Sequence, residues 1–351
     1  MTTYPIDSAH VKFLGRCMPI PQGLWLCWSG SGVEFTFTGK EFCITILGDD
    51  RSTLPETHEN HARIAIEING KRVISQQIAD KVNNFAFGNT ESQDWHVRVI
   101  KLSESAMATC VLSQLKCDGQ PQPTPAKAHT MEVIGDSITC GYGIDDPAAD
   151  HPFHTATEDC TQAYAWLAAQ ELNADYALIS ISGWGIISGY TATDERSASQ
   201  LLPPYHHCAG YAHEGFQGRK PQDLDWDFSR FDPELVVINL GTNDDSFTGD
   251  DADRQEEYCR EYQAFLKTLR SRYPEAHILC TLGMMGDRLY PMVEKAVSQH
   301  IAATGDSRIQ AFRFTPQTDA DGYSSDWHPS KSSQKRGAAE LTRKVKEWLG
   351  W

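Results

Sequence analysis

The sequence has no apolar run approaching the roughly 20 residues that a membrane span requires, so nothing in it reads as a transmembrane segment. It is also short of positive charge. Its 31 Lys and Arg stand against 47 Asp and Glu, for a formal net charge of −16. A surface this acidic is repelled by phosphate backbones and anionic lipids. Nucleic acid and membrane are therefore not expected as partners, and a neutral or cationic substrate is. Met1 to His10 holds no basic segment followed by an apolar run, which predicts a cytoplasmic protein, or a secreted one if a signal segment has been removed. The ten cysteines include no C-x-x-C pair, and Cys43 in EFCITIL and Cys280 in HILCTL lie inside apolar runs. Buried free thiols in a reducing compartment are the expectation. No metal is expected, because the two His-x-x-His pairs, His58/His61 and His151/His154, lack evident further ligands. No cofactor is expected either. GWGIISG, from Gly183 to Gly189, is one residue too long in its last spacing for a dinucleotide fingerprint.

What is present divides the 351 residues into two halves with different rhythms. From residue 11 to about 117 the chain carries short runs rich in β-branched and aromatic residues, among them LWLCW, VEFTFTG, EFCITIL and WHVRVIKL. In ARIAIEING, Ile64, Ile66 and Ile68 share one face and Arg63, Ala65 and Glu67 the other, and Asn69-Gly70 signals a hairpin. This predicts a smaller all-β sandwich domain over 1–118. CDGQPQPTPAKAH then reads as an extended linker, placed at 119–130. Over 131–351, apolar strands are expected at Met131–Ile134, Tyr176–Ile181, Leu235–Leu240, His277–Leu282 and Ile309–Phe314, alternating with helical patterns. Tyr258, Tyr262, Phe265, Leu266 and Leu269 form one apolar stripe at helical spacing. This alternation predicts an α/β domain with a parallel five-stranded sheet, whose chemistry belongs at the C-terminal strand ends.

Those strand ends carry a consistent set of residues: Gly135-Asp136-Ser137, then Ser182-Gly183-Trp184-Gly185, then Gly241-Thr242-Asn243-Asp244, and finally SSDWHPS with Asp326 and His328. A serine hydroxyl is a poor nucleophile without a base in hydrogen-bond reach, and a neutral imidazole is such a base. Acyl transfer also needs donors for an oxyanion, which the N–H groups of Ser137 and Gly183 and the amide of Asn243 can supply. On these residues alone Ser137 is equally well read as a helix N-cap. A second Gly-Asp-Ser, Gly305 to Ser307, precedes a strand and so lies at the wrong end of the sheet.

The four blocks, in this order and each after an expected strand, resemble the SGNH (GDSL-type) hydrolase superfamily over roughly residues 131 to 351. The resemblance implies a flavodoxin-like hydrolase domain with Ser137 as nucleophile, Gly183 and Asn243 in the oxyanion hole with the Ser137 N–H, and His328 as base. GDSITCGYG after a β-rich domain is more narrowly similar to carbohydrate esterase family 2. That similarity implies a jelly-roll first domain and a metal-free serine esterase that removes acetyl groups from hemicellulose saccharides. Where the superfamily reads Asp-x-x-His, this chain has Ser325 three before His328 and Asp326 two before it. Either Asp326 orients His328 as a third catalytic residue, or a backbone carbonyl does. Trp184 and Trp327, beside site residues, are expected to contact the sugar. The alternatives are another acyl ester as substrate, or a carbohydrate-binding protein with an inactive hydrolase half. The partner implied by the resemblance is an acetylated oligosaccharide or polysaccharide.

Overall fold

The computed structural model describes residues 1–54 and 59–351, so His58 lies outside the described residues. The chain forms two compact units: Met1–Lys127 with His154–Cys160 and His207–Trp226, and Ala128–Phe153 with Thr161–His206 and Asp227–Trp351. The single cut expected from the sequence does not describe this. Two irregular stretches return to the first unit because their contacts are there. Phe216 packs on Trp25 at 6.1 Å, and Arg72 pairs with Asp159 at 2.5 Å.

The first unit is an antiparallel ten-stranded sheet. Its main path uses β1 (Cys17–Ile20), β2 (Gly23–Leu26), β3 (Gly32–Gly48), β4 (Arg63–Ile68), β5 (Lys71–Gln77), β6 (Val82–Lys101) and β7 (Cys110–Cys117). Their spatial order is β1-β2-β7-β3-β6-β4-β5. VEFTFTG and EFCITIL are one 17-residue strand, β3, with a register shift between Gly39 and Glu41 against β6. Alternate residues of these strands (Val33, Phe35, Phe37, Phe42, Ile44 and Ile46) supply the core. Asn69 and Gly70 both take positive φ, 50° and 77°, as a two-residue hairpin turn between β4 and β5 requires. The expected linker is not free over its whole length. Gln122 and Pro123 pair with Thr36 and Phe35, covering an edge that β7 leaves open.

In the second unit, β8 (His129–Gly135), β9 (Ala174–Ser180), β10 (Leu235–Asn239), β11 (His277–Leu282) and β12 (Ile309–Arg313) form a wholly parallel sheet of order β9-β8-β10-β11-β12. This is the expected five-stranded α/β fold. Every residue of β10 is buried, as a sheet covered on both faces demands. The helices are α1 (Ser137–Cys140), α2 (Tyr164–Glu171), α3 (Thr242–Thr248), α4 (Ala252–Arg272), α5 (Tyr290–Thr304) and α6 (Lys331–Leu349). The stripe Tyr258, Tyr262, Phe265, Leu266 and Leu269 is the buried face of α4. The chain runs from β8 outward to β9 and then crosses to β10 on the other side of β8. Such a reversal opens a crevice beyond the carboxyl ends of the central strands, and the segments just after β8, β9 and β10 carry Ser137, Gly183 and Asn243. Among the described residues no helix is long and apolar enough to cross a membrane, and all ten cysteines are free thiols, with Cys43 half-buried and the rest buried.

Candidate active site

Ser137 opens α1 directly after β8. The N-cap is Asp136, whose Oδ1 accepts the Ile138 N–H at 3.0 Å. The capping role is thus taken by the preceding residue, and the Ser137 hydroxyl is left for another partner. That partner is His328: its Nε2 lies 2.8 Å from Ser137 Oγ. His328 Nδ1 faces two carbonyl oxygens, those of Ser325 and Asp326, at 3.1 Å each. A carbonyl only accepts, so Nδ1 carries the proton and Nε2 is the lone-pair nitrogen that accepts from the serine hydroxyl. Burial pushes the His328 pKa down to about 4, against the opposing effects of the Ser325 carbonyl and the Asp326 charge.

Asp326 does not orient the imidazole through its side chain. Its carboxylate accepts from the Tyr142 hydroxyl at 2.5 Å, and only its backbone carbonyl reaches Nδ1. The two-residue spacing explains this. Asp326 and Trp327 both take left-handed backbone, φ 50° and 61°, which turns the carbonyls of 325 and 326 inward. For non-glycine residues that conformation costs on the order of 1–2 kcal/mol each, so the surroundings must hold it. Asp326 N–H donates to the His151 carbonyl and Trp327 N–H to the Ala149 carbonyl, both at 3.2 Å. Gly143 lies so close that a Cβ there would sit 2.5 Å from Ser325 Cβ.

The oxyanion candidates converge from three strand ends. Gly183 has φ 80° with open space where a Cβ would be, so glycine is needed for its backbone angle and not for room. Among the described residues neither the Gly183 N–H nor the Ser137 N–H has a protein acceptor. Asn243, in the first turn of α3, donates from Nδ2 to the Trp184 carbonyl at 2.9 Å and makes a long contact of 3.4 Å to Asp136 Oδ2. The next residue, Asp244, holds the Gly183 loop in place. Its carboxylate accepts the N–H groups of Ile186, Ile187 and Ser188 at 2.6–3.1 Å. Burial raises the Asp244 pKa to about 6 despite those bonds, and raises Asp136 to about 7, with the nearby Asp244 charge adding to the rise.

Ser137, Gly183, Asn243, Asp326, Trp327 and His328 line a cleft of about 560 Å³. Trp327 is 59% exposed there. Trp184 corrects the expectation placed on it: it is 2% exposed, packs edge-on against Tyr205 at 5.2 Å, and its carbonyl anchors Asn243. Two tyrosines also line the cleft, beside Thr242, Asp245, Ser246 and Met285. Tyr190, 62% exposed, lies on the long loop after β9. Tyr142 stacks on the His328 ring at 3.9 Å with 20° between the planes. An aromatic between two glycines in GDSITCGYG was the available signal for Tyr142. Tyr190 had none beyond the length of its loop.

Residues 133–336 match the GDSL-like Lipase/Acylhydrolase family, and residues 13–126 match the Carbohydrate esterase 2 N-terminal domain. The cellulase/esterase CelE of Acetivibrio thermocellus is 29% identical over 350 residues, covering 98% of this chain; the chain spans only 40% of that relative's length. An acetylxylan esterase / glucomannan deacetylase of Cellvibrio japonicus is 28% identical over 360 residues, with 99% of this chain and 92% of the relative covered. Among solved structures, a family two carbohydrate esterase from Clostridium thermocellum in complex with cellohexaose superposes with a TM-score of 0.83 at 26% identity, covering 97% of this chain and 99% of that one. The chain belongs to the GDSL-like lipase/acylhydrolase family, with a carbohydrate esterase 2 N-terminal domain preceding the hydrolase domain in sequence.

Proposed function

We propose that the protein is a serine esterase that removes O-acetyl groups from hemicellulose-derived saccharides through an acetyl-enzyme. The observation that carries this reading is the hydrogen bond between Ser137 Oγ and His328 Nε2, with the other ring nitrogen committed to two carbonyls. Ser137 Oγ attacks the acetyl carbonyl carbon as its proton passes to Nε2. The tetrahedral oxyanion is met by the N–H groups of Ser137 and Gly183 and by the Asn243 N–H not used on the Trp184 carbonyl. The bond from acetyl carbon to sugar oxygen then breaks, and the Nε2 proton goes to that departing oxygen, which leaves as the sugar hydroxyl. Water attacks the acetyl-serine with His328 again as base, and acetate leaves as Ser137 recovers its proton.

The acetylated carbohydrate is supported by the relatives named acetylxylan esterase / glucomannan deacetylase and by the cellohexaose-bound neighbour. It is also supported by the open cleft, where the exposed faces of Trp327 and Tyr190 suit the apolar faces of sugar rings. The test is acetate release from acetylated xylo- and manno-oligosaccharides by the wild type and by Ser137→Ala. Release that is lost in the variant is expected. A wild type that leaves both these and p-nitrophenyl acetate untouched would remove the esterase reading.

A further inference from the structure

The hydrolase site lacks the side-chain acid that normally holds a catalytic histidine, and its base is held by two backbone carbonyls on a left-handed loop. Carbonyls can do this only while the loop keeps its conformation, so something must hold the loop. Tyr142 touches it at three points. Its hydroxyl donates to the Asp326 carboxylate at 2.5 Å, its ring lies on the His328 imidazole at 3.9 Å, and its carbonyl accepts from Ser324 Oγ at 3.2 Å. Its ring also lies 4.4 Å from that of Phe153.

We propose that Tyr142 is the positioning residue of this site: by tethering Asp326 and covering the imidazole, it fixes the loop carbonyls on His328 Nδ1 and takes over the work of the missing acid. The inference rests on Ser137 as nucleophile and His328 as its base. It assigns the Asp326 carboxylate an indirect part. Asp326 acts as the anchor for Tyr142, and its backbone carbonyl does the orienting.

A charged orienting acid would set the imidazole differently. A carboxylate at Nδ1 stabilises the imidazolium and raises its pKa, whereas two neutral carbonyls under an aromatic cover give much less compensation for lost hydration. The groups facing the imidazole are the Tyr142 ring, the Ser137 hydroxyl at Nε2 and Asp326, whose carboxylate Tyr142 already occupies. Asp245 lines the same cleft and is paired with Arg288 at 2.8 Å. The low His328 pKa agrees with this setting.

The two functions of Tyr142 separate by substitution. Tyr142→Phe keeps the ring and removes the tether, Asp326→Ala removes the same bond from its other end, and Tyr142→Ala removes both tether and cover. Hydrolysis of p-nitrophenyl acetate is the appropriate assay, because a substrate without a sugar makes no use of carbohydrate contacts in the cleft. Tyr142→Phe and Asp326→Ala should each lower kcat about ten-fold with KM little changed, as expected for loss of one hydrogen bond to a charged group that positions the base. The double variant should be no slower than either single one, because both remove one interaction. In an NMR titration, the His328 imidazole should stay well below its ordinary pKa in the wild type and Tyr142→Phe, and rise by at least about one unit in Tyr142→Ala, where the ring regains water.

Additive losses in the double variant, an unchanged kcat in Tyr142→Phe, or a His328 titration that does not move in folded Tyr142→Ala would each overturn the proposal. Should Tyr142→Ala not fold, the Phe and Asp326 variants still decide it through the double-mutant comparison. The titration needs no turnover. If the wild type hydrolyses no ester, it is the esterase reading that fails, and the ring measurement still reports on the clamp.

Discussion

Replacing Asn243 by Ala isolates one oxyanion donor. In the wild type, Asn243 Nδ2 has two hydrogens: one is spent on the Trp184 carbonyl at 2.9 Å, and the other makes only a 3.4 Å contact to Asp136. The second is the one that meets the developing oxyanion in the proposed mechanism. Truncation removes it and leaves the Ser137–His328 bond of 2.8 Å and the Gly183 and Ser137 N–H groups in place. A single preorganised donor in such a site is worth about 3–4 kcal/mol in the transition state, so kcat should fall by about 10²–10³. Loss of the bond to the Trp184 carbonyl adds a stability cost of about 1 kcal/mol, which shows in thermal unfolding and not in kcat. The assay is steady-state hydrolysis of p-nitrophenyl acetate, with Tm measured in parallel. KM should change far less than kcat, since a donor aimed at the oxyanion contributes little to ground-state binding. A kcat within two- or three-fold of the wild type in a folded Asn243→Ala variant would refute the role given to this residue.

Three further outcomes are expected. With His328 pushed down to about 4, protonation removes the base only as the pH falls through that value, so kcat/KM on p-nitrophenyl acetate should stay level from about pH 8 to 5.5; an acid limb centred at the ordinary 6.5 would contradict the buried, carbonyl-held ring. Asp136 is raised to about 7 in the fold from an unfolded value near 3.9, so the folded state holds the extra proton between those values and its stability falls as pH rises from about 4 to 7, by up to about 4 kcal/mol. Asp136→Asn should flatten that part of the stability profile, read from denaturant midpoints at pH 5 and 8, and a slope equal to the wild type's would exclude Asp136 as its source. Trp327→Ala should raise KM for acetylated oligosaccharides by about ten-fold, the scale of one lost aromatic face in an exposed site, and leave p-nitrophenyl acetate hydrolysis nearly unchanged; equal effects on both substrates would deny the ring a sugar contact.

Residue order alone specifies the parts of this protein that are local along the chain. Buried parallel strands need apolar runs, and the central ones could be read from a handful of consecutive residues, while β12, at the sheet edge, is largely half-buried. Ser137, Gly183 and Asn243 were legible because a parallel α/β sheet gathers the residues just beyond its central strands into one crevice, so position along the chain nearly fixes position in space. His328 was legible as the imidazole just before the last helix. The α4 stripe from Tyr258 to Leu269 and the Asn69-Gly70 turn come from local periods and backbone angles in the same way.

Whatever depends on contacts between distant residues is settled only in three dimensions. Asp136 and not Ser137 caps α1, which required seeing where each oxygen points. Trp184 is core, although it stands next to Gly183 in the chain. The stretches 154–160 and 207–226 return to the first unit because Asp159 and Phe216 find partners there, a choice no local pattern records. Above all, the orientation of His328 rests on Tyr142 and Asp326, 184 residues apart. Shifting the acidic residue by one place in SSDWH moves its carboxylate away from the imidazole and onto a tyrosine. Residue type and spacing alone do not specify that partnership, because it forms only when the loop before α6 closes on the turn after α1.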